Sequence, residues 1–433
     1  MKIGIAEGNI RTPIGMQMTG YAGRVFGAMD IHDQLKMSAL YIESEGVESM
    51  IIVCQVLGFD PDFSRVTEAK ICQAINIPET NLILGAIHTH GGPASGTLYG
   101  CGCADPVWLE QTQQDLIDLA KKAVANSFDG YFEYASGTCE IALNRVAMSK
   151  YPNYMDMIDK ETAVVKFYET ATGQLKAVFL NYGCHPVVLN HKNHLYTADY
   201  VYYAIKKLQE AYGEDVAVIF STGCCGDLNP RYRFTFEMAE KTGNLLADSV
   251  VSAKKIFTNR QAQIKCHAKQ LVIPLVIDYT YDDLAEFKKK ALAEVERLTE
   301  QNYNENFIMI QVEAVKALWA ELCMKGFESG DLKTTIYPMI KVLQIGDLSF
   351  IALPFEVFHE LGLKIKGLFN RAGRSIVMGY SNGVYGYLPY GELYEKASYE
   401  AKTAFRYYGY PGPVCKEAGD IIYKYLEEIV DTN

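Results

Sequence analysis

Two histidines close the run Ile83-Leu84-Gly85-Ala86-Ile87-His88-Thr89-His90-Gly91-Gly92-Pro93. Only 8 histidines occur in 433 residues, so two within three positions stand out. The apolar residues predict a buried strand, and the glycines after them predict a turn at its end. α/β enzymes often place their chemistry at such strand ends. Side chains at i and i+2 of a strand share a face, so both imidazoles are expected to enter one pocket. The competing reading is a pair of hydrogen-bonded surface histidines. A second segment, Ala177-Val178-Phe179-Leu180-Asn181-Tyr182-Gly183-Cys184-His185-Pro186, repeats the order of apolar strand, small residues and histidine. Two such ends, far apart in sequence, suit a metal centre assembled from several loops. Catalytic zinc takes imidazole and carboxylate, usually three protein ligands, with one position left for water. Leu353-Pro354-Phe355-Glu356 supplies an acid just after a strand predicted at 349–353. Residues 357–369 read as a helix, so Glu356 could equally be a first-turn glutamate favoured by the helix dipole.

The elements that must position these groups alternate. Strands are predicted at 49–55, 81–87, 163–168, 177–181, 216–221, 271–276, 340–345, 349–353 and 375–378. Helices are predicted at 106–127, with Asp105 as cap, and at 197–212 and 234–255. Such alternation points to α/β layers. Gly346-Asp347 between two apolar runs reads as a hairpin turn, so part of the sheet is expected to be antiparallel. The expected fold class is α/β: a single large layered domain over 1–433, with mixed β-sheets flanked by helices. Segments 281–300 and 304–325 are long, charged and helix-prone, with apolar residues such as Leu284, Phe287 and Leu298, then Ile308, Val315 and Leu322. They predict a helical hairpin inserted over 281–325.

Composition narrows the function. The net charge is −11 and no basic run occurs, which argues against nucleic acid as a partner. Met1-Lys2-Ile3-Gly4-Ile5-Ala6-Glu7 reads as a strand and lacks the apolar core of a signal peptide. No segment approaches the ~18 apolar residues of a membrane span. The expectation is a cytoplasmic protein with no stable membrane insertion; the oligomeric state is left open. Eleven cysteines cannot all pair internally, so free thiols are expected. Cys101-Gly102-Cys103 and Cys224-Cys225 lack CxxC spacing and read as buried small residues.

Taken together, the motifs resemble the neutral ceramidases, specifically their N-terminal catalytic domain and its shorter bacterial homologues. Arg11-Thr12-Pro13 and Gly20-Tyr21-Ala22 are similar to that family's opening. His88-Thr89-His90-Gly91-Gly92-Pro93 resembles its H-T-H-S-G-P, and Asn144-Arg145 its N-R motif. Cys184-His185 matches its downstream zinc histidine, and Gly226-Asp227-Leu228-Asn229-Pro230 resembles its G-D-x-S-P-N. Leu353 to Glu356 resembles its L-P-G-E. Asn382 through Tyr387, followed by Leu388-Pro389, resembles its N-x-Y-x-x-Y segment, and Tyr399-Glu400 its later Y-E. The resemblance implies zinc (Zn2+) held by His88, His185, Glu356 and Tyr387. Without it, Tyr387 would read as an ordinary packing tyrosine among 30. The resemblance also implies that His90 contacts substrate or oxyanion without binding the metal, and that Arg145 supports the same charge. Taken alone, Arg145 could equally form a surface or structural ion pair.

Two departures matter. The family's serine is Asn229 here, so a covalent serine route is not expected; Asn229 could still donate a hydrogen bond to an oxyanion. The immunoglobulin-like domain that follows the catalytic domain in larger ceramidases is expected to be missing, since the chain stops soon after a short helix at 418–429. The leading expectation is a zinc-dependent, ceramidase-like hydrolase acting on a linear amide in a small-molecule or N-acyl substrate. His90 and Tyr387 are candidate proton donors to the leaving amine. One alternative is a metal-independent cysteine hydrolase using Cys184, Cys224 or Cys225 with a histidine base. Another is a non-catalytic, metal-dependent binding protein.

Overall fold

The structure is a computed structural model and describes residues 1–432. Its larger sheet has nine strands. Eight run in the order Ala217–Thr222, Leu175–Tyr182, Glu161–Glu169, Phe128–Thr138, Lys2–Asn9, Lys36–Ser44, Val47–Cys54 and Leu82–Ala86. The ninth, Lys254–Asn259, pairs with Phe128–Thr138. The middle of the sheet is antiparallel, whereas the outermost pair at each end is parallel. Parallel neighbours need a crossover, and here each is a helix. Pro61–Ile75 links Val47–Cys54 to Leu82–Ala86, and Tyr200–Tyr212 links Leu175–Tyr182 to Ala217–Thr222. The sheet curls until its two edges meet: the Thr222 hydroxyl donates to the Ile87 carbonyl at 2.6 Å.

A second sheet of four strands runs Ile264–Gln270, Met339–Ile345, Leu348–Ala352 and Arg374–Met378. Its last pair is also parallel and is bridged by the helix His359–Phe369. The turn at Gly346-Asp347 joins antiparallel strands, as the sequence predicts, with Gly346 at φ 58°. The sheets touch where Phe179 meets Phe350 edge-on and the Asn181 amide reaches the Val377 carbonyl at 3.4 Å. The fold is therefore α/β with mixed sheets, as expected.

Helix Pro106–Ala125 begins where predicted, with the Asp105 carboxylate accepting from the Val107 and Trp108 amides. Three expectations shift. The strand expected at 271–276 shrinks to Ile273–Pro274, because Pro274 lacks the donor a longer ladder needs. The helix expected over 234–255 runs only Phe236–Val251, and Lys254–Asn259 turns into a strand. Lys36–Ser44, Phe128–Thr138 and Ile264–Gln270 are strands that hydrophobic runs did not reveal, since polar or charged residues interrupt each.

The helical hairpin forms over Tyr281–Ser329, broken only at Asn302, whose extended backbone (φ −170°, ψ 100°) reverses the chain. Its arms are antiparallel: the Tyr281 hydroxyl donates to Glu328 at 2.6 Å and Lys288 to Glu321 at 3.2 Å. Trp319 docks the hairpin. Its ring packs edge-on against Tyr279, Phe287 and Phe405, and its indole N–H donates to the Tyr410 carbonyl at 2.8 Å. Trp319→Ala should lower unfolding free energy by about 3–5 kcal/mol in denaturant titrations. An unchanged midpoint would show that this ring does not anchor the hairpin.

Candidate metal centre

The three parallel pairs of the two larger sheets deliver residues from their carboxyl ends to one place. His88 follows Leu82–Ala86, His185 follows Leu175–Tyr182, and Glu356 follows Leu348–Ala352. His88 has φ +64°, a left-handed conformation that costs a non-glycine residue about 1–3 kcal/mol. This corrects the reason for expecting His88 and His90 together: the strand ends at Ala86, and a turn, not strand alternation, brings them close. The outcome is as expected, with ring centroids 5.2 Å apart. Glu356 is not a helix first-turn residue. It lies in the two-residue strand Glu356–Val357, paired in parallel with Tyr387–Leu388, and the helix starts at His359.

The hydrogen bonds around these groups leave one demand unmet. His88 Nδ1 lies 2.7 Å from the Leu57 carbonyl, and His185 Nδ1 lies 3.0 Å from that of Leu228. A carbonyl only accepts, so each Nδ1 carries the proton and each Nε2 presents a lone pair. Those Nε2 atoms lie 3.2 Å and 3.0 Å from the same carboxylate oxygen, Oε2 of Glu356. Burial pulls the His185 pKa down to about 4, so its ring is neutral at pH 7. All three side chains are buried. Three acceptors thus converge out of reach of solvent, and a cation satisfies them together. Ligands about 2.0–2.1 Å from zinc in tetrahedral array lie about 3.3 Å apart, close to the spacing here.

His90 completes a second grouping. The nitrogens of His88, His90 and His185 lie within 4.8 Å of one another and could hold a metal ion. Glu356 is the nearer third partner. Both ring nitrogens of His90 are buried without a hydrogen-bond partner. Burial, then the neighbouring His88 and His185, lowers its pKa well below the ordinary histidine value. The ring lies against Gly20, where a Cβ would sit 2.3 Å from Nδ1, and 4.7 Å from the Tyr21 ring.

Arg145 is a hub, not a surface ion pair. Its guanidinium donates to Glu400 at 3.0 Å, Asn229 Oδ1 at 3.3 Å, the Gly226 carbonyl at 2.7 Å and the Tyr387 hydroxyl at 3.1 Å. Burial opposes its charge, but Tyr387 and Glu400 outweigh this and keep it protonated. Asn229 is set by Leu228–Pro230 pairing with Ala142–Asn144. Tyr387 is aligned with Glu356 by strand register, and its hydroxyl engages Arg145.

Sequence reasoning missed two groups. The Tyr408 hydroxyl donates to Glu356 Oε1, the oxygen that faces neither histidine. Asp227 Oδ2 binds His359 Nδ1 at 2.6 Å and accepts from the Asn144 amide at 2.7 Å, bracing the loop that carries Leu228 and Asn229. Tyr408 has no motif among 30 tyrosines, and His359 hides inside an apolar helix start. The eleven cysteines are free, as expected.

No protein-family profile and no curated protein matches the sequence. Solved structures do, and two of them are described as ceramidases. The crystal structure of neutral ceramidase from Pseudomonas aeruginosa aligns with 100% of this chain and 74% of its own, at TM-score 0.75 and 16% identity. A second, described as ceramidase complexed with C2, aligns with 99% of this chain and 74% of its own, at TM-score 0.73 and 15% identity. The chain therefore has the neutral-ceramidase fold, as the motifs implied.

Tyr408→Phe removes the hydrogen bond that orients Glu356. It should weaken zinc binding by about 10–100-fold in competition with a chelating dye, with the fold retained. Unchanged affinity would show that Tyr408 does not orient the carboxylate.

Proposed function

We propose that the protein is a zinc-dependent hydrolase that cleaves the amide bond of an N-acyl compound. The observation that carries this reading is the convergence of two imidazole lone pairs on the Glu356 carboxylate. His88, His185 and Glu356 would hold the ion, with Tyr387 alongside. When bound, zinc polarises a carbonyl and lowers the pKa of water toward ~7. His90 is neutral and its nitrogens are unengaged, so it is free to take a proton or to pass one to the leaving amine. Arg145 keeps its charge beside Tyr387 and Asn229, where it stabilises negative charge developing on the carbonyl oxygen. Asn229 occupies the place of the family's serine and serves as a polar contact, not a nucleophile. A cavity of about 600 Å³ is lined by Tyr21, whose ring lies 4.7 Å from that of His90, by the loop residues Arg24, Phe26 and Cys101, and by Phe307 and Gln311 of the hairpin.

The cysteine route finds no support. Burial raises the Cys184, Cys224 and Cys225 thiols above their usual range. Cys184 Sγ bonds the His185 carbonyl and Cys225 Sγ faces the Tyr380 hydroxyl; neither partner is an imidazole. Among the described residues no helix is long and apolar enough to cross a membrane.

The test is turnover of a panel of N-acyl amides of varied acyl length, before and after chelation and after zinc is restored. Loss on chelation and recovery with zinc is expected; turnover by the metal-free protein would overturn the mechanism. Zinc binding with no hydrolysis of any amide would favour the binding-protein reading. Arg145→Lys keeps the charge but loses the fork, and should lower kcat by about 10²–10³-fold with zinc content unchanged. An unaltered kcat would remove Arg145 from the chemistry.

A further inference from the structure

The cavity beside Tyr21 has one charged residue in its wall, Arg24. This side chain is half-buried. Its Nε donates to the Asn193 carbonyl at 3.1 Å and its Nη1 to the Thr19 carbonyl at 2.8 Å. Both acceptors are neutral. Among the described residues no carboxylate pairs with it, and the groups that favour its charge are the Tyr21 phenol and the Cys101 thiol. Burial lowers its pKa to about 10, so it stays a cation at pH 7. Its Nη2 makes no hydrogen bond, yet this atom is not sealed from solvent, so its two N–H groups face open space. Arg233 is a second guanidinium without an acidic partner; its contact is the Phe234 ring, 5.2 Å away. With Arg24 and Arg145 it favours ionisation of Tyr21. The chain carries 52 Asp and Glu residues, and none of them meets either arginine.

Tyr21 ties this cation to the metal centre. The Arg24 guanidinium lies over its ring, 5.1 Å from the centroid, and the His90 ring packs against it at 4.7 Å. The charge of Arg24 is felt at His90. Solvent reaches this side of the centre. Tyr399 is 45% exposed, although its phenol feels Glu356, Arg145 and the cavity residue Cys101. A half-buried cation without a counter-ion is costly, and an anion that enters beside it regains that cost. A planar carboxylate matches the guanidinium fork with two parallel hydrogen bonds. One fork, with no lysine or second arginine in the wall, suits a single negative charge better than a phosphate dianion. Val25, Phe26 and Phe307 give the same wall an apolar part for hydrocarbon.

We propose that Arg24 anchors a carboxylate of the amide substrate, which makes the substrate an anionic N-acyl amino acid. The carboxylate accepts from the free N–H groups of Arg24, and the scissile amide lies toward His90, on the far side of Tyr21. The proposal rests on the hydrolase reading for the fate of the ligand, but not for its capture.

The test is calorimetric titration of the full chain, as purified, with N-octanoyl ω-amino acids of increasing length, from glycine to aminohexanoate. Each is paired with its uncharged terminal carboxamide, and released octanoate is followed in parallel. At the length that spans the two sites, the carboxylate should bind about 10–100-fold more tightly than its carboxamide. Arg24→Gln should erase that difference, and Arg24→Lys, which keeps the charge without the fork, should retain part of it. The ligand comparison on the parent protein stands even where a variant fails to fold. Equal affinity of carboxylate and carboxamide at every length, no binding of either, or full discrimination in Arg24→Gln would overturn the proposal. Discrimination without octanoate release would uphold the anchor and contradict the hydrolase reading. Release at equal KM from both members of every pair would do the reverse.

Discussion

The structure turns on one electrostatic constraint: a buried carboxylate oxygen faces two imidazole lone pairs and nothing that can donate to them. Backbone carbonyls of Leu57 and Leu228 fix the ring protons on the far side of each histidine. Neutral acceptors packed this closely against an anion are unfavourable in a water-free interior unless a cation joins them. The rest of the site follows from that arrangement. Tyr408 restrains the other carboxylate oxygen, and strand register puts Tyr387 beside Glu356. Arg145 ties Tyr387 to Asn229 and to the loop at Gly226.

The fold meets this constraint by a simple topological device. Most of the larger sheet is antiparallel, yet each of its edges carries one parallel pair with a crossover helix, and the second sheet carries a third. Loops at the carboxyl ends of parallel strands are where α/β proteins gather ligands. Here three such ends face one another because the larger sheet curls until Thr222 reaches Ile87. The segment after Met378 stitches both sheets together, with Gly379 donating to Thr222 at 3.1 Å and Ala86 to Tyr380 at 3.1 Å. Groups nearly 270 residues apart, His88 and Glu356, thereby come within hydrogen-bond distance.

The amino-acid sequence exposed this centre unevenly, for physical reasons. His88, His185 and Glu356 were legible because each ends an apolar strand, and the fully buried strands of a parallel pair read as unbroken apolar runs. The spacing of His88 and His90 pointed to the right pocket through the wrong geometry, since a left-handed residue at a turn has no periodicity to read. Tyr387 needed the family resemblance. Tyr408 stayed hidden because its role is one long-range hydrogen bond to Glu356, without a local signature. The same holds for the fold. The hairpin over Tyr281–Ser329 was plain from helical period, but the reversal at Asn302 has no glycine or proline to mark it. Strands such as Ile264–Gln270, with one ladder partner and a polar face, carry too little apolar signal to declare themselves.

The measurement that addresses the central constraint most directly is the metal content of the purified protein by elemental analysis, made in parallel on His88→Ala and Glu356→Ala. The account predicts about one zinc per chain in the parent and loss of that zinc in both variants, with the fold intact by circular dichroism. A parent protein that takes up no metal even when zinc is supplied, or a Glu356→Ala protein that keeps a full equivalent, would contradict it.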